Sequence, residues 1–250
     1  MQAKDSGHIL YERNGPIARI TVDRPKKLNA ITQQMYGELR RAFVAADIDP
    51  QVEVVVLAAA GRAFCAGGDL GEVNVMHDDP ERRLDLATAA DNSTATFKQM
   101  ETTDKPIVAL VNGLAHAAGM LLAMQSDIVI ASERASFRLP EALRGISDVY
   151  AAAHLPAYIG VARTKYMLMT CEEISATEAE RWGFVAKVVP HERLEAEGQR
   201  TVDLILATGS EARVWNKMLV TRFMPPFDNR GLKATLHSTQ TKSGTESFNR

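Results

Sequence analysis

The spacing of apolar residues changes several times along the chain. Residues 16–22 (PIARITV) alternate apolar and polar positions with β-branched side chains and stop at Arg24-Pro25, which predicts a strand running into a loop. Met35, Leu39, Ala42, Phe43 and Ala46 then recur at three- and four-residue spacing, a helical period that Thr32 is placed to cap. Residues 52–58 form a continuous valine-rich run, too short for a typical helix, and predict a strand buried on both faces. A glycine-bearing loop follows over 61–71. Residues 72–104 are polar, alanine-rich and weakly periodic, and predict a loop and then a helix ending before Asp104-Lys105-Pro106.

The alternation then returns. A strand over 107–111, a turn at Asn112-Gly113 and a helix over 117–125 are followed by a buried strand over 127–131 (DIVIA). After Gly145 the pattern is mainly helical, with one further strand over 185–189 closed by Pro190. Ser175 to Glu178 reads as a helix start and Gly183 as its stop. Strands alternating with helices predict an α/β core with right-handed connections. No repeat or flexible linker divides the chain, so residues 194–250 read as a helical extension of a core spanning 1–193.

Two loops carry candidate chemistry. Residues 62–70 follow a buried strand, and the adjacent glycines 67 and 68 let backbone N–H groups approach a ligand closely. Residues 112–119 bring small side chains to the start of an apolar helix, where unpaired N–H groups and the positive end of the helix dipole lie. Either loop alone is equally well read as a turn. Together they supply a pair of donors for one oxygen, and one such donor is worth on the order of 3 kcal/mol in oxyanion sites.

Composition narrows the partners. With 29 basic and 31 acidic side chains, no global field draws the chain to nucleic acid or anionic membrane. The longest nearly apolar stretch, 113–124, is interrupted by His116 and falls short of the roughly 20 residues of a membrane span. The start, MQAKDSGHIL, lacks the features of a signal peptide, so the mature protein is expected to begin there. Cys65 and Cys171 make neither a disulfide framework nor a set of metal ligands, which fits a reducing cytoplasm and no metal.

Five ordered blocks, DRPKKLNA (23–30), AFCAGGDL (63–70), KPIVALVNGLAHAAG (105–119), SDIVIASERASF (126–137) and ISATEAERWGFVAKVV (174–189), resemble the crotonase (enoyl-CoA hydratase/isomerase) superfamily in order and spacing. The resemblance implies a ββα spiral core, a helical C-terminal trimerisation region, and a homotrimer or dimer of trimers. It implies an acyl-CoA thioester substrate, with coenzyme A part of that substrate and no tightly bound cofactor. It puts oxyanion N–H groups at Gly68 and Ala118, and substrate or CoA contacts at Lys27, Leu28, Ala66, Gly68, Asp69, Leu70 and Leu121.

The acids discriminate among reactions. Hydratases of the resembled family carry one glutamate in the helix after the glycine segment and another in a Pro-Glu pair; here the first position is Leu121 and the second is Glu141. Leucine transfers no proton, so a two-glutamate mechanism is not available. Asp148 falls where dienoyl-CoA isomerases resembling this chain have a catalytic aspartate and a related dehalogenase its nucleophile, although Glu141 replaces an aromatic of the dehalogenase pocket. Locally, Glu141 reads as a loop carboxylate after proline and Asp148 as a helix N-cap.

Three functional classes follow: a one-glutamate hydratase or isomerase, a dienoyl-CoA isomerase-like shuttle using Glu141 and Asp148, and a non-catalytic acyl-CoA binder. An RNA-associated relative would need a basic surface that the charge balance lacks. His116 and Cys65 read as packed residues, His154 as lying outside the acyl pocket, and Asp69 as ordering its loop. Lys26 and Lys27 suit CoA phosphates or ordinary solvation equally.

Overall fold

The computed structural model describes residues 7–72 and 83–221, with 83–90 as backbone only. In chain order the elements are β1 (His8–Asn14), β2 (Ile17–Asp23), α1 (Gln33–Ile48), β3 (Val54–Ala59), α2 (Arg83–Thr102), β4 (Ile107–Val111), β5 (Ala115–His116) and α3 (Ala118–Met124). There follow β6 (Ile128–Ser132), β7 (Ser136–Arg138), α4 (Val149–Thr170), β8 (Ile174–Ser175), α5 (Ala176–Trp182), β9 (Lys187–Val189), α6 (Leu194–Leu206) and α7 (Ser210–Thr221).

A six-stranded sheet has the order β1-β2-β3-β4-β6-β9, parallel except where β1 pairs with β2. A smaller sheet, β5-β7-β8, stands beside it. The interior strands β3 and β4 are buried almost without interruption, as strands covered on both faces must be. One face meets α1, α2, α3 and α4 in a large cluster that includes fully buried Phe43, Phe64 and Phe137, each worth about 1.5–3 kcal/mol of burial. The other face, formed by Val54, Val56, Val108, Leu110 and Ile130, is covered by Leu194 and Val202 of α6. Gly198 allows that helix to approach, because a Cβ there would stand 2.7 Å from Leu110 Cδ2.

The α/β alternation expected from the periodicity is present, and so are the predicted helix starts. Thr32 Oγ1 accepts from Met35 N at 3.2 Å, and Ser175 with Glu178 forms a reciprocal capping box. Four strands escaped the pattern. β1 is exposed along nearly its whole length and so shows no alternation, while β5, β7 and β8 hold two or three residues each, too few to establish a period. Of the loop and helix expected over 72–104, the helix is α2, and residues 73–82 lie outside the described residues.

Candidate active site

The loop after β3 and the segment before α3 are laid against each other by backbone hydrogen bonds. His116 N donates to Cys65 O at 2.9 Å, and Phe64 N and Cys65 N donate to Leu114 O at 3.0 and 3.1 Å. Contact is close enough to require glycine at three positions, the first being Gly113, where a Cβ would lie 2.1 Å from Arg62 O. A Cβ on Gly119 would lie 2.2 Å from Cys65 O, and one on Gly67, whose φ is +114°, would lie 2.8 Å from Ala117 Cβ. Ala117 itself has φ 51° and ψ −122°, a costly conformation for a residue with a Cβ, held by its N–H donating to Arg138 O at 2.9 Å.

These constraints orient Gly68 and Ala118. Gly67 O accepts from Ile31 N and Asp69 N donates to Ile31 O, both at 2.8 Å, so the Gly68 peptide N–H between them faces away from residue 31. Ala118 is the first residue of α3, where an N–H has no acceptor within its own helix. Among the described residues neither N–H donates to any group. The fold thus brings together two free donors from two loops.

Asp69 orders this loop. Its carboxylate receives Arg24 Nη1 at 2.5 Å and the N–H of Glu72 at 3.2 Å. Against burial, which would raise it, the Arg24 hydrogen bond and the backbone N–H groups of Glu72 and Gly71 hold the Asp69 pKa below the usual range. Arg24 also donates to Ala30 O, tying the loop to residues 24–30. Ala66 N donates to Leu28 O at 3.0 Å, while Lys26, Lys27 and Leu70 are exposed around the same edge. Arg24 and Asn29 were missed as site residues. Asn29 is fully buried and gives both side-chain N–H bonds to Ala60 O and Ala63 O at 2.7 Å. The signal was an arginine and an asparagine inside a block already singled out.

The two acids line one cavity of about 430 Å³, together with Leu139, Ile146 and Leu168. Glu141 opens a short 3-10 turn, Glu141–Arg144, that ends at Gly145 in a left-handed conformation. Asp148 caps α4, its Oδ1 accepting from Ala151 N at 2.8 Å. The cap reading and the site position therefore coexist in one side chain. Glu141 Oε2 and Asp148 Oδ2 are buried without a hydrogen-bond partner among the described residues. Burial, and for Glu141 also the negative charge of Asp148, pushes both carboxyl pKa values up, Glu141 the further. Such groups are protonated near neutral pH more readily than surface acids, as proton transfer requires.

Leu121 of α3 is buried in the main core and supplies no proton-transfer group. Tyr36, overlooked in the sequence because tyrosine fits a core face, lies close to both acids: burial and then the charges of Cys65, Glu141 and Asp148 raise its phenol pKa. Cys65 is packed, and burial pushes its thiol up to about 12, which leaves no thiolate at neutral pH. His116 lies 3.3 Å from Ser136 Oγ and from Glu173 Oε2, in the small sheet. His154 is buried, with Nδ1 at 3.0 Å from Tyr150 O. Among the described residues no cluster of three or more His, Cys, Asp or Glu is placed to hold a metal, and no helix is long and apolar enough to cross a membrane.

A core of strands and helices that leaves two backbone N–H groups free on adjoining segments, and buries two acids on one cavity, suits chemistry on carbonyl compounds through charge on oxygen. The family profile described as enoyl-CoA hydratase/isomerase matches residues 12–247, and the chain belongs to that family of acyl-CoA enzymes, within the crotonase superfamily. It is 31% identical over 219 residues to a short-chain-enoyl-CoA hydratase of Clostridium acetobutylicum, covering 87% of this chain and 82% of that protein. It is 36% identical over 203 residues to a carnitinyl-CoA dehydratase of Salmonella arizonae, covering 80% and 75%. A crystal structure of an enoyl-CoA hydratase from Bacillus anthracis superposes with a TM-score of 0.81 at 28% identity, over 96% of this chain and 95% of that one.

Proposed function

We propose that the protein moves a double bond in an unsaturated acyl-CoA, with Glu141 and Asp148 passing a proton between two carbons of the acyl chain. The observation that carries this reading is the pair itself: two buried acids with raised pKa values, each with an unpaired oxygen, on one cavity. The substrate's thioester oxygen lies between the N–H groups of Gly68 and Ala118. One carboxylate removes a proton from carbon, the electrons move onto the thioester oxygen as an enolate, and the other acid returns a proton to a different carbon. No atoms are gained or lost. The two N–H groups stabilise the oxygen as its charge grows, which is where such donors are most effective.

Coenzyme A lies along Lys27, Leu28, Ala66 and Leu70, with the loop held by Asp69, and no other cofactor takes part. The enzyme acts as a homotrimer or a dimer of trimers, built through residues 194–250, in the cytoplasm. Two buried free cysteines suit a reducing compartment.

Hydration is the second reading, favoured by the hydratase and dehydratase names of the relatives. In that case Glu141 alone serves as acid and base for water, since Leu121 leaves the other glutamate position empty. The experiment is incubation with a panel of enoyl- and dienoyl-CoA thioesters in deuterated water, read by mass. Isomerisation gives a product of unchanged formula that has taken up deuterium on carbon, whereas hydration adds the mass of water. A panel without any turnover defeats both readings and leaves an acyl-CoA binder.

A further inference from the structure

The sheet that leads into the Ala118 segment is built from very little backbone. β5 and β8 hold two residues each and β7 three. Ala115 pairs with Phe137 and His116 with Arg138 between β5 and β7, and Ser136 pairs with Ser175 and Phe137 with Ile174 between β7 and β8. One side chain links all three strands. His116 Nε2 stands 3.3 Å from Ser136 Oγ on β7 and 3.3 Å from Glu173 Oε2, in the residue before β8. Side chains two apart on a strand share a face, so Ser136 lies on the same side of the sheet as Arg138, the residue opposite His116. Continuing the β7–β8 register by one pair sets Glu173 opposite Arg138, and His116, Arg138 and Glu173 then form one row across the sheet. Arg138 itself donates Nε to Cys171 O at 2.7 Å.

The placement of the two oxygens shows what the ring does. In a nucleophilic triad the serine and the carboxylate occupy opposite nitrogens of the histidine, so that the ring passes a proton on. Here both meet Nε2, which carries at most one proton, so the arrangement holds strands together and does not activate Ser136. The neighbouring carboxylate keeps the ring's proton on that nitrogen. Burial lowers the His116 pKa more than the charge of Glu173 raises it, and Arg138 lowers it further, so at neutral pH the neutral ring makes the contact. The His116 side chain is mostly buried, while that of Glu173 is half exposed.

β5 ends at His116, and only Ala117 separates it from Ala118. Ala117 holds φ 51° and ψ −122°, and a residue with a Cβ persists in such a conformation only where its surroundings over-determine it. The backbone supplies two restraints, His116 N to Cys65 O and Ala117 N to Arg138 O, both at 2.9 Å. We propose that the His116 side chain supplies a third and is a positioning residue: by tying β5 to Ser136 and Glu173 it fixes the direction in which the Ala118 N–H meets the substrate's thioester oxygen. This role rests on the oxyanion assignment of Gly68 and Ala118 above, and adds to it a side chain that touches neither substrate nor acids.

The carbonyl stretch of a bound thioester reads the oxyanion hydrogen bonds, because donors that polarise the C=O lower its frequency, and a saturated thioester is not consumed. Butyryl-CoA and decanoyl-CoA, isotopically labelled at the carbonyl carbon, are bound to the full-length wild type, His116→Leu, His116→Gln and Glu173→Ala, and their infrared bands recorded. Glutamine places an amide N–H near the position of Nε2, while leucine keeps only the bulk. The wild-type band should lie below that of the free thioester. His116→Leu should lose about half or more of that shift and, on an enoyl- or dienoyl-CoA, lower kcat at least about tenfold with KM within about threefold, and His116→Gln should recover most of both. A full shift in folded His116→Leu overturns the positioning role and leaves the oxyanion assignment standing. A loss that His116→Gln shares in full reduces His116 to packing and overturns it as well. If His116→Leu unfolds, Glu173→Ala, which leaves the ring in place and changes a half-exposed side chain, must show a reduced shift, and an unchanged one overturns the role. No shift of either bound thioester in the wild type, or no binding, overturns the oxyanion assignment itself.

Discussion

At the residue scale the candidate site holds two carboxyl groups that the fold buries and leaves half unpaired. Replacing each by its amide keeps shape and removes proton transfer. Glu141→Gln and Asp148→Asn should each lower turnover by at least about 100-fold if both acids shuttle the proton, with the KM for the thioester nearly unchanged. Asparagine also caps helices well, so Asp148→Asn should keep α4 and the melting temperature. A severe loss in Glu141→Gln alone selects the hydratase reading. Stability carries a second signature. A carboxyl whose pKa is raised in the folded state holds a proton that the unfolded chain has released, between the ordinary glutamate value and the raised one. Stability therefore falls as pH rises through that window, and Glu141→Gln should flatten the fall, measured by urea denaturation at about pH 5 and about pH 8. Both acids were legible in the sequence, although only the resemblance raised them above a loop carboxylate and a cap. Their raised pKa values were not legible, because burial comes from the packing of the folded chain and not from the local sequence. Tyr36 was hidden for the same reason: in a linear pattern an aromatic near two buried acids and one in a core look alike.

At the scale of elements, helices and buried strands declared themselves by period and caps. β3, β4 and β6 appeared as apolar runs, while β5, β7 and β8 are too short for any period, and β1 is an edge strand whose side chains meet solvent on nearly every position. What the period does not reveal is how closely elements approach, and there two glycines make contrasting demands. Gly119→Ala puts a Cβ 2.2 Å from the backbone oxygen of Cys65, which cannot move without carrying the Gly67-Gly68 loop with it. Gly198→Ala meets only the movable end of the Leu110 side chain, and alanine gains about 1 kcal/mol in helix propensity. Gly119→Ala should cost about 2 kcal/mol or more and lower activity in the remaining folded protein, while Gly198→Ala should stay within about 1 kcal/mol of the wild type. Equilibrium denaturation with an activity assay on each variant checks both.

At the scale of the whole molecule, α7 presents Trp215, Met218, Leu219 and Val220 to solvent, each about half exposed or more. Four large apolar side chains on one short helix exceed the scattered exposure usual for a monomer surface. Phe223, a further large apolar residue beyond this helix in the sequence, lies outside the described residues. Light scattering at micromolar concentration should give a trimer or a dimer of trimers, and Trp215→Glu with Leu219→Glu should shift the mass toward monomer. The unequal thickness of the two layers has a further consequence. Phe64, Cys65 and Ala118 of the two glycine-bearing segments, and Tyr36 near the acids, belong to the large cluster on one face of the sheet, whereas the opposite face is roofed mainly by α6 through Leu194 and Val202. Sub-global opening should therefore begin at that thin roof: amides of α6 should exchange with solvent deuterium sooner than those of α3 or β4, in excursions that leave the large cluster assembled.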